Sequence, residues 1–99
     1  MQEHGFALGR VIADEAELLT IAVHPEAQGA GIGKKLMSEF HTAAKSRGAS
    51  RAFLEVADDN GAARALYLGA GYGESGRRVG YYNRAHSAPI DAITMERAL

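Results

Sequence analysis

Residues Gln28-Gly-Ala-Gly-Ile-Gly33 place three glycines in five positions between an apolar stretch and an amphipathic one. Glycines packed this densely let the backbone turn tightly and bring its amides close to a ligand. Before the turn, Glu17–Val23 is rich in Leu, Ile and Val and reads as a strand. Its near-continuous apolar run predicts burial on both faces and a central place in a sheet. Pro25 ends it, because proline lacks the amide that a ladder needs. After the turn, Leu36, Met37, Phe40, Ala43 and Ala44 recur at three- and four-residue spacing. That spacing predicts a helix over Gly33–Arg47 with one apolar stripe, and Gly48 stands where a helix C-cap glycine belongs.

The flanking segments extend this strand–turn–helix unit into a layered fold. Phe6–Ile12 is an expected short strand, with Gly5 and Gly9 flanking or interrupting it, and the polar Ala13-Asp14-Glu15 is a turn of hairpin length. Arg51–Ala57 alternates with period two, so Glu55 points to the opposite face from Leu54. Asp58-Asp59-Asn60 supplies cap chemistry for a second helix over about Gly61–Ala70, ending at Gly71. Tyr72–Arg78 and Ile90–Ala98 are the last expected strands, joined by a loop over Arg84–Pro89. The order β-β-α-β-α-β-β is an α/β pattern with a mixed sheet. At 99 residues the chain makes one domain, able to bury roughly 65% of its unfolded surface.

Charge and composition exclude several function classes. A net charge of -1 argues against a nucleic-acid binder that neutralises many phosphates, so any anion site must be local. There is no cysteine, hence no disulfide, thiolate zinc site or acyl-cysteine intermediate. His4, His24, His41 and His86 show no metal-ligand spacing, so no metal is expected; His24 reads as a surface residue near the turn. Met1–Leu8 lacks a basic region followed by an apolar run and does not read as a secretory signal. No apolar stretch approaches the ~18 residues of a membrane helix. The expectation is a soluble cytoplasmic protein with neither nucleic acid nor membrane as partner.

The turn is suited to a phosphate group. First-turn amides of a helix have no internal partner and carry the positive end of its dipole. Lys34 and Lys35 strengthen this reading: cations in a first helical turn are unfavourable by ~0.3–1 kcal/mol each, and an anion resting there would remove the penalty. The alternative is a solvated lysine pair beside a loop. Two common phosphate motifs fail on spacing. A P-loop needs Gly at position 28 and a hydroxyl at 35, where Gln28 and Lys35 stand. A dinucleotide fingerprint needs Gly-x-Gly-x-x-Gly, whereas Gly29, Gly31 and Gly33 give Gly-x-Gly-x-Gly.

Gln28, Gly31 and Gly33 resemble the Gln/Arg-x-x-Gly-x-Gly/Ala signature of the GNAT superfamily of N-acetyltransferases. Leu18–Pro25 is similar to the family's strand before that turn. Asn60, Ala63, Leu66, Tyr67, Gly71 and Tyr72 resemble its Asn-x-x-Ala-x-x-Leu-Tyr-x-x-x-Gly-Phe/Tyr pattern. Phe53-Leu-Glu-Val56, Arg77-Arg78, Tyr81-Tyr82 and Asp91-Ala92 look like the ribosomal-protein alanine N-acetyltransferase branch. The resemblance covers nearly the whole chain and implies acetyl-coenzyme A as co-substrate. It assigns the pyrophosphate to Gln28, Gly29, Ala30, Gly31, Ile32, Gly33 and Lys34, the pantetheine arm to the backbone of Ile21, Ala22 and Val23, and a further contact to Asn60.

The same resemblance makes Glu55 the general base and Tyr67 the general acid of acetyl transfer to an amine. The residues themselves leave alternatives open: Glu55 can be a solvated carboxylate, Tyr67 a packing aromatic, and Asn60 a plain N-cap. Arg77-Arg78 and Tyr81-Tyr82 can shape a peptide groove or form a ribbon with a charged outer face. The implied acceptor is a protein N-terminal α-amine, with a small-molecule amine or a non-catalytic acetyl-coenzyme A-binding module as alternatives. Family members begin with a strand, two helices and a strand before the segment equivalent to Gly5–Ile12. Their absence predicts an N-terminally shortened acceptor side and an exposed sheet edge, through which a homodimer is expected.

Overall fold

The computed structural model describes residues 5–24, 31–83 and 88–99. Five strands and two helices follow the expected order: β1 (Gly5–Ile12), β2 (Glu15–Val23), α1 (Ile32–Ser46), β3 (Arg51–Ala57), α2 (Gly61–Gly69), β4 (Gly73–Tyr82) and β5 (Ile90–Ala98). The sheet order is β1-β2-β3-β5-β4, so β1 and β4 are its edges. Only β2 and β3 run parallel; the other pairs are antiparallel. β4 runs four residues beyond the expected Arg78. The predicted loop at Arg84–Pro89 overlaps residues 84–87, outside the described residues.

Cross-strand register sorts the side chains onto two faces. Leu54 stands opposite Met95 and Val56 opposite Ile93; all four are buried beneath α1 and α2, with Ala16, Leu18, Met37, Ala44 and Tyr67. Glu15 faces Arg51 and Glu17 faces Phe53 on the other side. That side carries the ion pairs Arg10–Glu17 (2.8 Å) and Arg51–Glu96 (2.6 Å). The expected helical stripe is real at Leu36, Met37 and Ala44, while Ala43 is exposed.

β2 departs from expectation. Gly9 pairs with Leu18 and Leu8 with Thr20, so Leu19 is a surplus residue with no opposite number on β1. Such a bulge shifts the phase of alternation by one. Ala16 and Leu18 point into the core before it and Ile21 after it, whereas Leu19 is 48% exposed. The continuous apolar run is therefore a slipped one-face pattern, not burial on both faces. A bulge also bends its strand. β2 pairs with β3 only through Glu15, Ala16 and Glu17, then leaves it.

α1 crosses close over β1, and Gly9 makes room for it. A Cβ there would lie 2.4 Å from Phe40 Cε1 and 2.8 Å from the Glu17 carbonyl oxygen. The ring can turn, but the backbone oxygen cannot. Gly9→Ala is therefore expected to cost about 1–3 kcal/mol, as overpacking does, lowering the thermal midpoint by roughly 4–8 °C per kcal/mol. Gly73→Ala, where a Cβ would meet nothing within 4 Å, should stay within about 0.5 kcal/mol. Equal midpoints for the two variants in a calorimetric scan would contradict this packing.

Candidate active site

Because β2 and β3 are parallel, their carboxyl ends lie together, and each leads into a helix. The amino ends of α1 and α2 therefore gather beside the cleft that opens where the strands part. Crevices at the carboxyl ends of parallel strands are where open α/β sheets take ligands. Ile21, Ala22 and Val23 lie on the stretch of β2 that has left β3.

The α1 terminus has the features of an anion cradle. Gly31 is its N-cap at φ 81°, a left-handed conformation that costs a side-chain-bearing residue energy. It provides no side-chain cap, and the first turn holds no acidic residue. The amides of Ile32, Gly33 and Lys34 have no partner within the helix, and Lys34 and Lys35 are exposed. Gly33 also serves packing: a Cβ there would press to 3.2 Å from Leu66 Cδ2, so its bareness lets α1 meet α2. Gln28, Gly29 and Ala30 lie outside the described residues. At the neighbouring helix, Asn60 caps α2 by accepting from the Ala63 amide at 3.2 Å.

Tyr67 is fixed by the way α2 ends. The Gly71 amide bonds the Leu68 carbonyl (3.1 Å) and the Tyr72 amide bonds the Tyr67 carbonyl (3.0 Å). This is a Schellman ending, with Gly71 at φ 94°. The motif brings the residue after the glycine against the one four positions before it: Tyr72 against Tyr67, ring centroids 6.2 Å apart and edge-on. Both rings are buried. Burial raises the Tyr67 phenol above its usual range, so it keeps its proton. The Tyr72 phenol is pushed up to about 12 by burial, which outweighs the opposing Arg97 charge, with Tyr67 adding to the rise.

Glu55 lies on the other face. Its side chain is 27% exposed, and Arg78 Nε approaches Oε2 at 3.2 Å. Glu55 and Tyr67 thus lie on opposite sides of the sheet, and Glu55 stands on the stretch of β3 beyond its last residue paired with β2. A network at the end of the sheet holds this frame. Arg77 Nη1 donates to Asp91 Oδ2 (2.7 Å) and Asp58 Oδ2 (3.0 Å), and Arg64 Nη1 donates to Asp58 Oδ1 (2.9 Å). Asp58 precedes α2 and Arg64 belongs to it, so these bonds tie the helix start to β4 and β5. Among the described residues no cluster of His, Asp or Glu side chains could hold a metal ion.

Sequence reasoning did not reach two contacts. Arg78 was readable as a basic residue, but its pairing with Glu55 depends on the β4–β5 register. His41 has no metal spacing, yet its Nε2 lies 2.8 Å from the Tyr72 hydroxyl, joining α1 to the tyrosine pair. The imidazole tautomer sets which of the two donates.

Residues 4–72 match the sequence model of the Acetyltransferase (GNAT) family. The "[Ribosomal protein bS18]-alanine N-acetyltransferase" of Salmonella typhimurium is 40% identical over 90 residues, covering 91% of this chain and 60% of that protein. "N-alpha-acetyltransferase RimI" of Mycobacterium tuberculosis is 43% identical over 90 residues, covering 91% and 53% respectively. The crystal structure of the ribosomal-protein-S18-alanine N-acetyltransferase from Escherichia coli superposes with a TM-score of 0.87 at 36% identity, covering 99% of this chain and 64% of that one. The chain thus spans about three-fifths of the length of such relatives.

His41 gives a pH dependence. Burial, with the Arg97 charge adding to it, lowers its pKa to about 4, against ~6.5 in an unfolded chain. As pH falls through this window the unfolded state takes up the proton first, so stability is full above about 6.5 and declines toward 4. After allowance for the solvent reaching a half-buried ring, the loss should be about 1 kcal/mol, or roughly 4–8 °C in midpoint. Melting curves at pH 7 and pH 4.5 should show a smaller drop in His41→Gln than in the parent. An unchanged drop would remove His41 from the account.

Proposed function

Because the chain belongs to the acetyltransferase (GNAT) family, we propose that it transfers an acetyl group from acetyl-coenzyme A to a primary amine. The acceptor best supported is a protein N-terminal α-amine, since two of the relatives named above are ribosomal-protein alanine N-acetyltransferases and the third is an N-alpha-acetyltransferase. What supports the reading is the parting of β2 from β3 after Glu17, at the end of the sheet where α1 begins with an uncapped N-terminus.

The residues present fit the co-substrate. The uncapped amides of Ile32, Gly33 and Lys34, with the two lysines, suit its pyrophosphate, and Gln28, Gly29 and Ala30 would complete the turn. The β2 stretch Ile21–Val23 offers the pantetheine arm a strand to lie along, and Asn60 stands at the second helix start. Acetyl-coenzyme A supplies an activated thioester carbonyl. An α-amine titrates near ~7.7–8.0, so at neutral pH it must lose a proton to attack. Glu55 takes that proton directly or through one water. The new C–N bond forms as the C–S bond breaks; Tyr67 gives its proton to the departing sulfur, and the second proton that the nitrogen sheds in becoming an amide returns through water to the Tyr67 oxygen. The products are the acetamide and free coenzyme A. Burial keeps the Tyr67 phenol protonated, so the proton is there to give.

A non-catalytic acetyl-coenzyme A-binding module is supported by one observation. Phe6, Leu8 and Ile12 of β1 and Leu19 of β2 leave large apolar side chains exposed, so the face that carries Glu55 is largely uncovered. We also propose that a second copy covers the β1 edge. That strand has eight residues, no proline or lysine, and a single charge at Arg10, so it lacks the usual defences of an edge. Antiparallel pairing about Gly9 would set Phe6 against Ile12 and Ala7 against Val11, apolar against apolar, with Leu8 opposite Arg10. Sedimentation equilibrium at micromolar concentration should then return twice the 10.5 kDa of one chain; a single-chain mass defeats the pairing.

Incubation with acetyl-coenzyme A and an alanine-starting peptide, read by mass spectrometry, separates enzyme from module: acetylated peptide supports the first, bound cofactor without product the second. In the enzyme, Glu55→Gln and Tyr67→Phe should each lower kcat by roughly 10²–10⁴, the range for lost acid–base help, while calorimetry finds coenzyme A binding retained. Full turnover in both variants would overturn the catalytic assignment.

A further inference from the structure

We infer that Arg78 is a positioning residue for Glu55, an inference that rests on the reading of Glu55 as the base. In β4, Arg77 stands opposite Ile93 and Arg78 opposite Ala92, so the adjacent arginines take opposite faces of the sheet. Arg77 enters the Asp58–Asp91 network beside α2. Arg78 faces outward, its Nε 3.2 Å from Glu55 Oε2. Its guanidinium carbon also lies 4.9 Å from the centroid of the Tyr81 ring, within the range of a cation–π contact. Tyr81 packs edge-on against Tyr82, with centroids 5.2 Å apart. One planar group is thus held between a carboxylate and an aromatic face, and β4 reaches across β5 to the base on β3.

This arrangement solves a problem specific to Glu55. Its strand neighbours Phe53 and Ala57 offer no hydrogen-bond donor side chain, and Thr94 stands opposite it on β5. A glutamate there has three side-chain torsions with little to restrain them. Engaging Oε2 with a guanidinium that is itself braced by a ring fixes the carboxylate plane and leaves Oε1 to take the amine's proton. The pair is an unlikely stability device. Arg78 is 60% exposed, and ion pairs so open to solvent add little to folding. A misplaced reacting group, in contrast, costs up to roughly 100-fold in rate.

The test uses the whole chain. Arg78→Ala should lower kcat roughly 10- to 100-fold, leaving the KM for acetyl-coenzyme A and the thermal midpoint unchanged, and Arg78→Lys should restore part of the loss. In a Glu55→Gln background, Arg78→Ala should add less than about twofold, because the two act as one unit. Independently of turnover, the Arg78 Nε–H signal in a nitrogen-15 correlation spectrum should shift and broaden when Glu55 becomes Gln. Multiplying effects in the double variant, or an Arg78 signal indifferent to Glu55, would overturn the inference. If instead Glu55→Gln keeps full turnover while that signal does respond to Glu55, the pair stands as a contact and the general-base reading fails, taking the catalytic role of Arg78 with it.

Discussion

A strand that holds one residue more than its neighbour bends away from a straight ladder. In β2 the surplus residue is Leu19, and the last residue paired with β3 is Glu17. The position is decisive. Placed a turn earlier, the bend would sever β2 from β3 altogether and divide the sheet. Placed at Val23, it would leave the two strands zipped to their ends with no cleft between them. At Leu19 the lower part of the sheet closes over a continuous core, and the upper part opens at the carboxyl ends where α1 and α2 begin. The backbone that can receive a ligand's arm and the amides that can receive its phosphates come from the same distortion.

The opening also allows the two sides of the sheet to differ in chemistry. Tyr67 belongs to the helical side, where the Schellman ending of α2 forces it against Tyr72 and the two rings are buried together. A phenol there keeps its proton. Glu55 belongs to the outward side, reached by water and by the Arg78 cation. Under the proposed function this would put a proton donor in the dry layer and a proton acceptor in the wet one, a division suited to acid–base chemistry.

Much of this was legible in the residues, for physical reasons that vary along the chain. The helix over Ile32–Ser46 is declared by its apolar spacing and ends at a glycine that must be left-handed. β3 is declared by strict alternation, which put Glu55 opposite Leu54 as found. β2 misled, because a bulge turns one-face alternation into an unbroken apolar run: Leu18, Leu19 and Ile21 look like two-sided burial when one face is simply out of phase. Tertiary pairs were not readable. His41 meets Tyr72 across 31 residues, and the Arg78 partner follows from a β4–β5 register that shifts twice. Of the signature Gln28–Gly33, the residues Gln28, Gly29 and Ala30 lie outside the described residues.

The core gives the proposed binding and the proposed transfer separate structural bases. Leu54, Val56, Ile93, Met95, Leu18 and Met37 are buried on the helical side of the sheet. The frame of the cleft depends on that layer, since both helix starts and the Tyr67–Tyr72 pair are anchored in it. Nothing in that layer requires the outward face to be covered. A ligand held by α1 amides and the bent end of β2 therefore draws on the well-packed half of the molecule. If Glu55 is the base, an amine approaching it would meet the half where Phe6, Leu8, Ile12 and Leu19 stand open, and any partner on those side chains would shape the path to the carboxylate. Cofactor affinity should thus follow the integrity of the helical layer, and acceptor choice should follow the occupant of the apolar outer face.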